Sequence, residues 1–211
     1  SYSVKKLLET LGYKIKLNQG FRYTLIDYYF SAITPGAIGG QPAEIYYMRK
    51  DGIDIGSSSL VMLIFNGLYH LSVVLVVLGA GFENILKILE GSKILLILFS
   101  LGIIIQITLS VLFFLLVFSK SIIYKLRDFA VKIMGKLKMK NLEEIESKIN
   151  SIIKEYKKGS KWIYNNPKIF LKIIPVVILH ISLYYSIGYF ISRSFGINNL
   201  GLKEMIGYQG V

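Results

Sequence analysis

The chain has no cysteine, which excludes disulfides and thiolate chemistry and leaves the redox compartment unreadable. Its two histidines, His70 and His180, are 110 positions apart and outside any HExxH pattern, so a zinc protease is unsupported and no metal is expected. Gly-x-Ser-x-Gly, P-loop and Rossmann fingerprints are absent, and neither a catalytic residue nor a cofactor is expected. Acidic residues are scarce, 13 against 25 Lys and Arg, which gives a net charge of +12. No low-complexity linker or internal repeat divides the sequence, so residues 1–211 are expected to form one membrane domain. The chain opens on Ser1 without a signal-peptide pattern and closes inside an apolar run, which reads as a fragment of a longer protein.

What is present is apolar length. Hydrophobic residues make up 53% of the chain and mean hydropathy is +0.53, values that place it among integral membrane proteins. Ile94 to Phe118 holds 25 residues without a formal charge, enough at about 1.5 Å per residue to cross a hydrocarbon core of roughly 30 Å. Residues 57–80 and 169–191 are two further runs, and Gly201 to Val211 reads as the opening of a truncated fourth. The expected fold is all-α and polytopic.

Charge sets the orientation, because Lys and Arg in short loops stay on the cytoplasmic side. Residues 119–168 carry 13 Lys or Arg against 5 Asp or Glu, whereas residues 81–93 hold two of each. The basic loop is therefore expected inside, together with the turn at 49–56 and the first 22 residues. If both flanks of residues 23–48 lie inside, that segment enters the membrane and returns on the same side.

Its sequence fits such a re-entrant hairpin. In SAITPGAIGGQPAEIYYMRKDGI, residues 31–53, the residue before Pro35 is pushed out of the α region, so a first helix should end at Thr34. Gly36, Gly39 and Gly40 permit positive φ or close approach, and a second helix is expected to restart at Pro42, where a missing N–H costs nothing. Glu44 would then sit in the first turn, and Arg49, Lys50 and Gly52 would close the helix. Irregular backbone at membrane depth needs protein or a watery cavity around it, and the N–H groups opening the second helix are a candidate anion site, beside the reading of a purely structural hairpin. The candidate lipid-contacting residues are Asp27, Thr34, Pro35, Gly39, Gly40, Gln41, Pro42, Glu44 and Arg49.

Each carries a structural reading beside the functional one. Asp27 is either a water-reached carboxylate paired with Arg22 or Arg49, or a binding residue. Glu44 is either a helix-start stabiliser or a cavity carboxylate able to meet a cationic head group. Asn66, Gly67 and His70 share one face of the first full span, Gly102, Gln106 and Ser110 form a stripe in the second, and His180 to Ser186 make the third more polar. Interhelical packing and hydrogen bonding account for all three.

In the basic loop, Ile122, Ile123, Leu126, Phe129, Ile133, Met134 and Leu137 recur at helical spacing among lysines, the pattern of an interfacial helix. Asn141 and Glu144 suggest a capping box for a second helix, expected to run to Gly159 and to pack beneath the bundle. Trp162 and Tyr164 suit interface depth, ahead of Pro167. Anionic lipid is a nearer partner for this charge than nucleic acid, which is not expected.

The hairpin motif TP-x-x-x-GGQP-x-x-IYY-x-x-K-x-GI, with EYKKGSKWIYNNPKIFLKIIP and LYYSIGYFISRSFGIN later, resembles the transmembrane region of lysylphosphatidylglycerol synthases, the membrane part of multiple peptide resistance factor proteins. The resemblance implies a bacterial, multi-pass cytoplasmic-membrane domain that handles anionic or aminoacylated phospholipid. In some members it flips aminoacylated phosphatidylglycerol to the outer leaflet; in the full-length enzymes a separate soluble domain, not present in this sequence, transfers lysine from lysyl-tRNA. The family's usual later P-G-G-x-G-x-x-E element is not in this sequence, and whether a complete protein carries it, like homo-oligomerisation, is left open.

Overall fold

The computed structural model describes residues 1–89, 93–137, 141–197 and 201–209, and among these the regular structure is helical, without strands. In chain order the helices are α1 (Tyr2–Thr10), α2 (Leu17–Ile33), a 3-10 turn (Pro35–Ala37), α3 (Gly40–Lys50), α4 (Ile55–Leu89), α5 (Lys93–Phe118), α6 (Lys120–Lys136), α7 (Leu142–Asn165), α8 (Lys168–Ser194) and α9 (Leu202–Gln209). Three are long and apolar enough to span a membrane, over Ile55–Gly79, Leu96–Phe118 and Lys168–Ser194. The chain is an all-α membrane protein, as the apolar runs required.

The structure divides into two compact units. One comprises residues 1–65 and 113–170, the other residues 66–112 and 171–211. In the first, α1 buries Val4, Leu7 and Leu8, one face at helical spacing, and packs on α2. This helix lies in the stretch read only as basic and cytoplasmic. It ends in a Schellman turn: Gly12 at φ +96 donates to Glu9 O, and Tyr13 N donates to Leu8 O. The Tyr13 hydroxyl then donates to Asp54 Oδ2 at 2.7 Å and lies 3.1 Å from Ser57 Oγ. The chain leading into the α2–α3 hairpin therefore meets the chain leaving it.

Helix α7 organises the same end of this unit. An α-helix leaves its last four carbonyls without intrahelical partners. At the end of α5, Leu115 O accepts from Ser119 N, Leu116 O from the Tyr156 hydroxyl at 3.0 Å, and Val117 O from Ser160 Oγ at 2.5 Å. On its other side α7 lies against the start of α4. A Cβ placed on Gly56 would fall 2.4 Å from Ile152 O and 2.8 Å from Tyr156 N. One on Gly159 would fall 2.7 Å from Leu60 Cδ2. Gly159 is thus a close-approach residue within α7, which runs on to Asn165, and does not terminate it as its position suggested. Nor does Asn141 form the expected capping box: it sits at φ +63 without a side-chain cap bond, and its carbonyl accepts from Ile145 N.

In the second unit, His70 Nδ1 lies 2.5 Å from Gln106 Oε1, and Ser110 Oγ donates to Gly67 O at 2.9 Å. The two polar stripes read from the sequence are one interhelical seam between α4 and α5. Gly102 is not part of it: among the described residues nothing outside its own helix backbone lies within 4 Å of where its Cβ would be. On α8, Ile173, Val177, Ile181 and Tyr185 form a buried stripe at i+4 spacing, with Pro175 accommodated inside the helix. α4 continues to Leu89 through residues 81–89, which the sequence reading placed in a loop, while 90–92 lie outside the described residues. α9 occupies the expected fourth run, whose residues 210–211 also lie outside them.

The Gly56 contact is with backbone and cannot move aside. Gly56→Ala should lower stability by about 1–3 kcal/mol, while Gly102→Ala, in open space within a helix, should not lower it and gains up to about 1 kcal/mol. Thermal unfolding in detergent checks this; equal Tm values for the two variants would contradict the packing described.

Candidate functional site

The α2–α3 hairpin is built by its punctuation. Thr34 ends α2 with φ −111 and ψ 140, the extended conformation that a following proline imposes. Its hydroxyl donates to Phe30 O at 2.6 Å and accepts from Gly39 N at 3.0 Å, so one side chain closes one helix and caps the next. Gly36 and Ala37 take the left-handed conformation, at φ +65 and +56. For Ala37 that costs roughly 1–2 kcal/mol, and no sequence signal marked it.

α3 starts at Gly40, two residues before the expected Pro42. Pro42 becomes the third helical residue, still among the first four whose N–H groups have no intrahelical acceptor, so it costs nothing there either. The shift moves Glu44 out of the first turn, and its reading as a helix-start stabiliser is lost. Gly39 has φ −76 and Gly40 is helical, so neither needs positive φ; what they provide is close approach. A Cβ on Gly39 would fall 2.5 Å from Thr34 Cγ2. One on Gly40 would fall 2.1 Å from Ser31 Oγ, 2.3 Å from Asp27 Oδ1 and 2.7 Å from Asp27 O.

These contacts define the seam between the helices. From α2 it takes Tyr23, Asp27 and Ser31, and from α3 Gly40, Glu44 and Met48, each set at helical spacing. Tyr23 and Met48 are fully buried, and Glu44 is 4% exposed. Among the described residues, Glu44 Oε1 is buried without a hydrogen-bond partner. Asp27, half-buried, is near enough for its charge to act on Glu44. A buried carboxylate oxygen without a donor is costly, and in a membrane site it calls for a cation or a hydrogen-bond donor. Ser31 was missed by the sequence reading, although its position four residues after Asp27 puts it on the same face.

The base of the hairpin is a separate cluster. The Arg22 guanidinium pairs with the Asp51 carboxylate, which also accepts from the Tyr23 hydroxyl. Arg22 thus pairs across the base and not with Asp27. The Tyr23 bond, then the Arg22 charge, hold Asp51 below the usual carboxylate range. Gly52 at φ +87 completes a Schellman turn, with Ile53 N donating to Met48 O and both side chains buried. Arg49 lies here too, about 13 Å along α3 from Gly40. It lines a cleft of about 390 Å³ with the 52–56 turn and with Lys148 and Glu155 of α7. The structure therefore gathers Thr34, Pro35, Gly39, Gly40, Gln41 and Pro42 at the tip and Asp27 with Glu44 in the seam, and sets Arg49 apart from both.

With this geometry in place, comparison with known proteins is informative. The family model for the lysylphosphatidylglycerol synthase TM region matches residues 1–208. The chain belongs to this family. A 60-residue stretch is 28% identical to a UPF0104 membrane protein of Archaeoglobus fulgidus, covering 28% of this chain and 18% of that relative. No solved structure matches. Membership makes the chain a membrane domain of a lipid-handling family, and its partners include membrane lipid.

The Asp51 cluster has a pH signature. A carboxylate held below its usual pKa contributes stability that is complete above its unfolded value, near 3.8, and is lost as pH falls through the lower folded value. Asp51→Asn should therefore lower Tm at pH 7, with the difference from the parent shrinking once pH drops below that range. A difference independent of pH would assign the effect to something other than this charge.

Proposed function

We propose that the hairpin is a re-entrant phospholipid site and that the domain moves, or selectively holds, aminoacylated phosphatidylglycerol. The observation that carries this reading is the buried Glu44 carboxylate, with an oxygen lacking a donor, set beside Asp27 in the seam of a broken helix. An ammonium on the lipid head group supplies both the missing donor and the compensating charge. Along the outside of the hairpin, Leu25, Tyr28, Tyr29, Ile33, Ile38 and Tyr46 are exposed, an apolar flank suited to acyl chains. Backbone N–H groups at the opening of α3 are the natural partner of the lipid phosphate. The setting in this reading is a bacterial cytoplasmic membrane. The family description also names a synthase, which favours a second reading: a domain that presents phosphatidylglycerol to a soluble lysyl-transferring domain.

Re-entry requires both ends of the hairpin on one membrane face, which the Tyr13 contacts with Asp54 and Ser57 support. The cysteine-free chain allows single cysteines at Lys14 and Lys50 to be labelled from either side against one at Lys132 on α6. The same side is expected for all three; opposite sides for Lys14 and Lys50 would make residues 23–48 a full span.

The chemistry is tested by Glu44→Gln, which keeps shape and removes charge. Reconstituted translocation of lysyl-phosphatidylglycerol and phosphatidylglycerol should show the preference for the aminoacylated lipid falling about 10- to 100-fold, the loss of one charge-assisted contact of about 1.5–3 kcal/mol. An unchanged preference would remove Glu44 from lipid recognition. Binding of both lipids without translocation would favour the presenting role.

A further inference from the structure

The α6–α7 hairpin plays no part in the site above, yet among the described residues α6 carries a large exposed apolar surface. At about 100° per residue its side chains fall on three faces. Ile123, Arg127, Ala130 and Met134 are half-buried on the side that packs against α7. Arg127 Nη2 reaches Glu146 Oε1 at 2.5 Å across that contact, and Lys157 of α7 donates to the Tyr124 hydroxyl at 2.6 Å while lying 4.6 Å from its ring. Next to this side is a stripe of Leu126, Phe129, Ile133 and Leu137, which are 53, 62, 40 and 69% exposed. Beyond the stripe Lys125, Lys132 and Lys136 line one edge, all exposed.

An exposed stripe of four large apolar residues is costly in water and needs a cover. Two observations identify it. The chain reaches α6 through Ser119 alone, one residue after the span that ends at Phe118, so α6 starts at a membrane surface. The charge along the free edge of the stripe is cationic, the complement of an anionic leaflet.

We propose that α6 docks on the anionic phospholipid surface of the membrane face where α5 ends, with Leu126, Phe129, Ile133 and Leu137 in the acyl boundary and Lys125, Lys132 and Lys136 on head-group phosphates. Through Arg127–Glu146 and Tyr124–Lys157 this contact anchors α7, and α7 in turn holds the end of α5 and the start of α4. The lipid surface is thereby a structural partner distinct from any lipid carried at the hairpin, and the proposal stands whether or not that site is correct.

A cysteine at Phe129 labelled with an environment-sensitive fluorophore, in the whole chain reconstituted in nanodiscs, tests it. In discs containing phosphatidylglycerol the label should emit to the blue and be quenched by shallow lipid-borne quenchers. A label at Asp128, on the opposite side of the helix, should remain in water. Replacing Lys125, Lys132 and Lys136 with Gln should lower the docked-to-undocked ratio by roughly fivefold per lysine, and discs of phosphatidylcholine alone should do the same to the parent. A Phe129 label equally water-exposed in both lipids, or shielded in both without lipid quenching, would overturn the proposal. The second outcome would put protein over the stripe.

Discussion

Everything about the hairpin depends on the absence of a side chain at Gly40. With only a hydrogen there, α3 starts against the backbone of α2 at Asp27, and the two helices lie close enough for Glu44 to be enclosed between them. Any larger residue would separate the helices at the point where the chain has just reversed. The reversal is held by Thr34, whose hydroxyl joins Phe30 O to Gly39 N, and by two residues in the left-handed conformation. Backbone that leaves helical geometry needs other hydrogen-bond partners, and here one threonine side chain contacts both sides of the break. The steric demand at Gly40 thus sets both the position of the turn and the chemistry of the seam.

A second consequence is that the carboxylates lie inside the hairpin and not at its mouth. Asp27 is held where α3 opens, and Glu44 is one turn further in. The backbone donors at the tip and the acidic pair in the seam are therefore neighbouring but distinct features, suited to opposite charges. A zwitterionic or cationic phospholipid presents those two charges in one head group. Arg49 belongs to another environment, facing α7 across the cleft at the base.

Helix α7 gives the first unit its coherence. It satisfies the terminal carbonyls of α5 with Tyr156 and Ser160 and meets the backbone of α4 at Gly56. The elements held at this end include the two flanks of the hairpin, the start of one span and the end of another. Two different requirements meet in α7: the carbonyls that end α5 need partners, which Tyr156 and Ser160 supply, and Gly56, lacking a side chain, lets α7 approach the backbone that starts α4.

The sequence by itself determined the class of the protein, its three spans and the break at Thr34, because apolar length and proline stereochemistry act locally. It also determined the polar stripes of α4 and α5, since i+4 spacing fixes a face. It marked Gly39 and Gly40 for positive φ or close approach; that close approach is the reason, and that its partners are Thr34, Ser31 and Asp27, came from the packing. It placed the start of α3 at Pro42, because proline is tolerated anywhere in the first turn and so does not single out one position. Only the tertiary structure decided that Arg22 pairs with Asp51, that Gly159 is a contact and not a stop, and that Glu44 is buried with an oxygen unpartnered. Each of these depends on residues far apart in the chain. Spacing along one helix says which side chains share a face; what that face meets is decided by the packing of another.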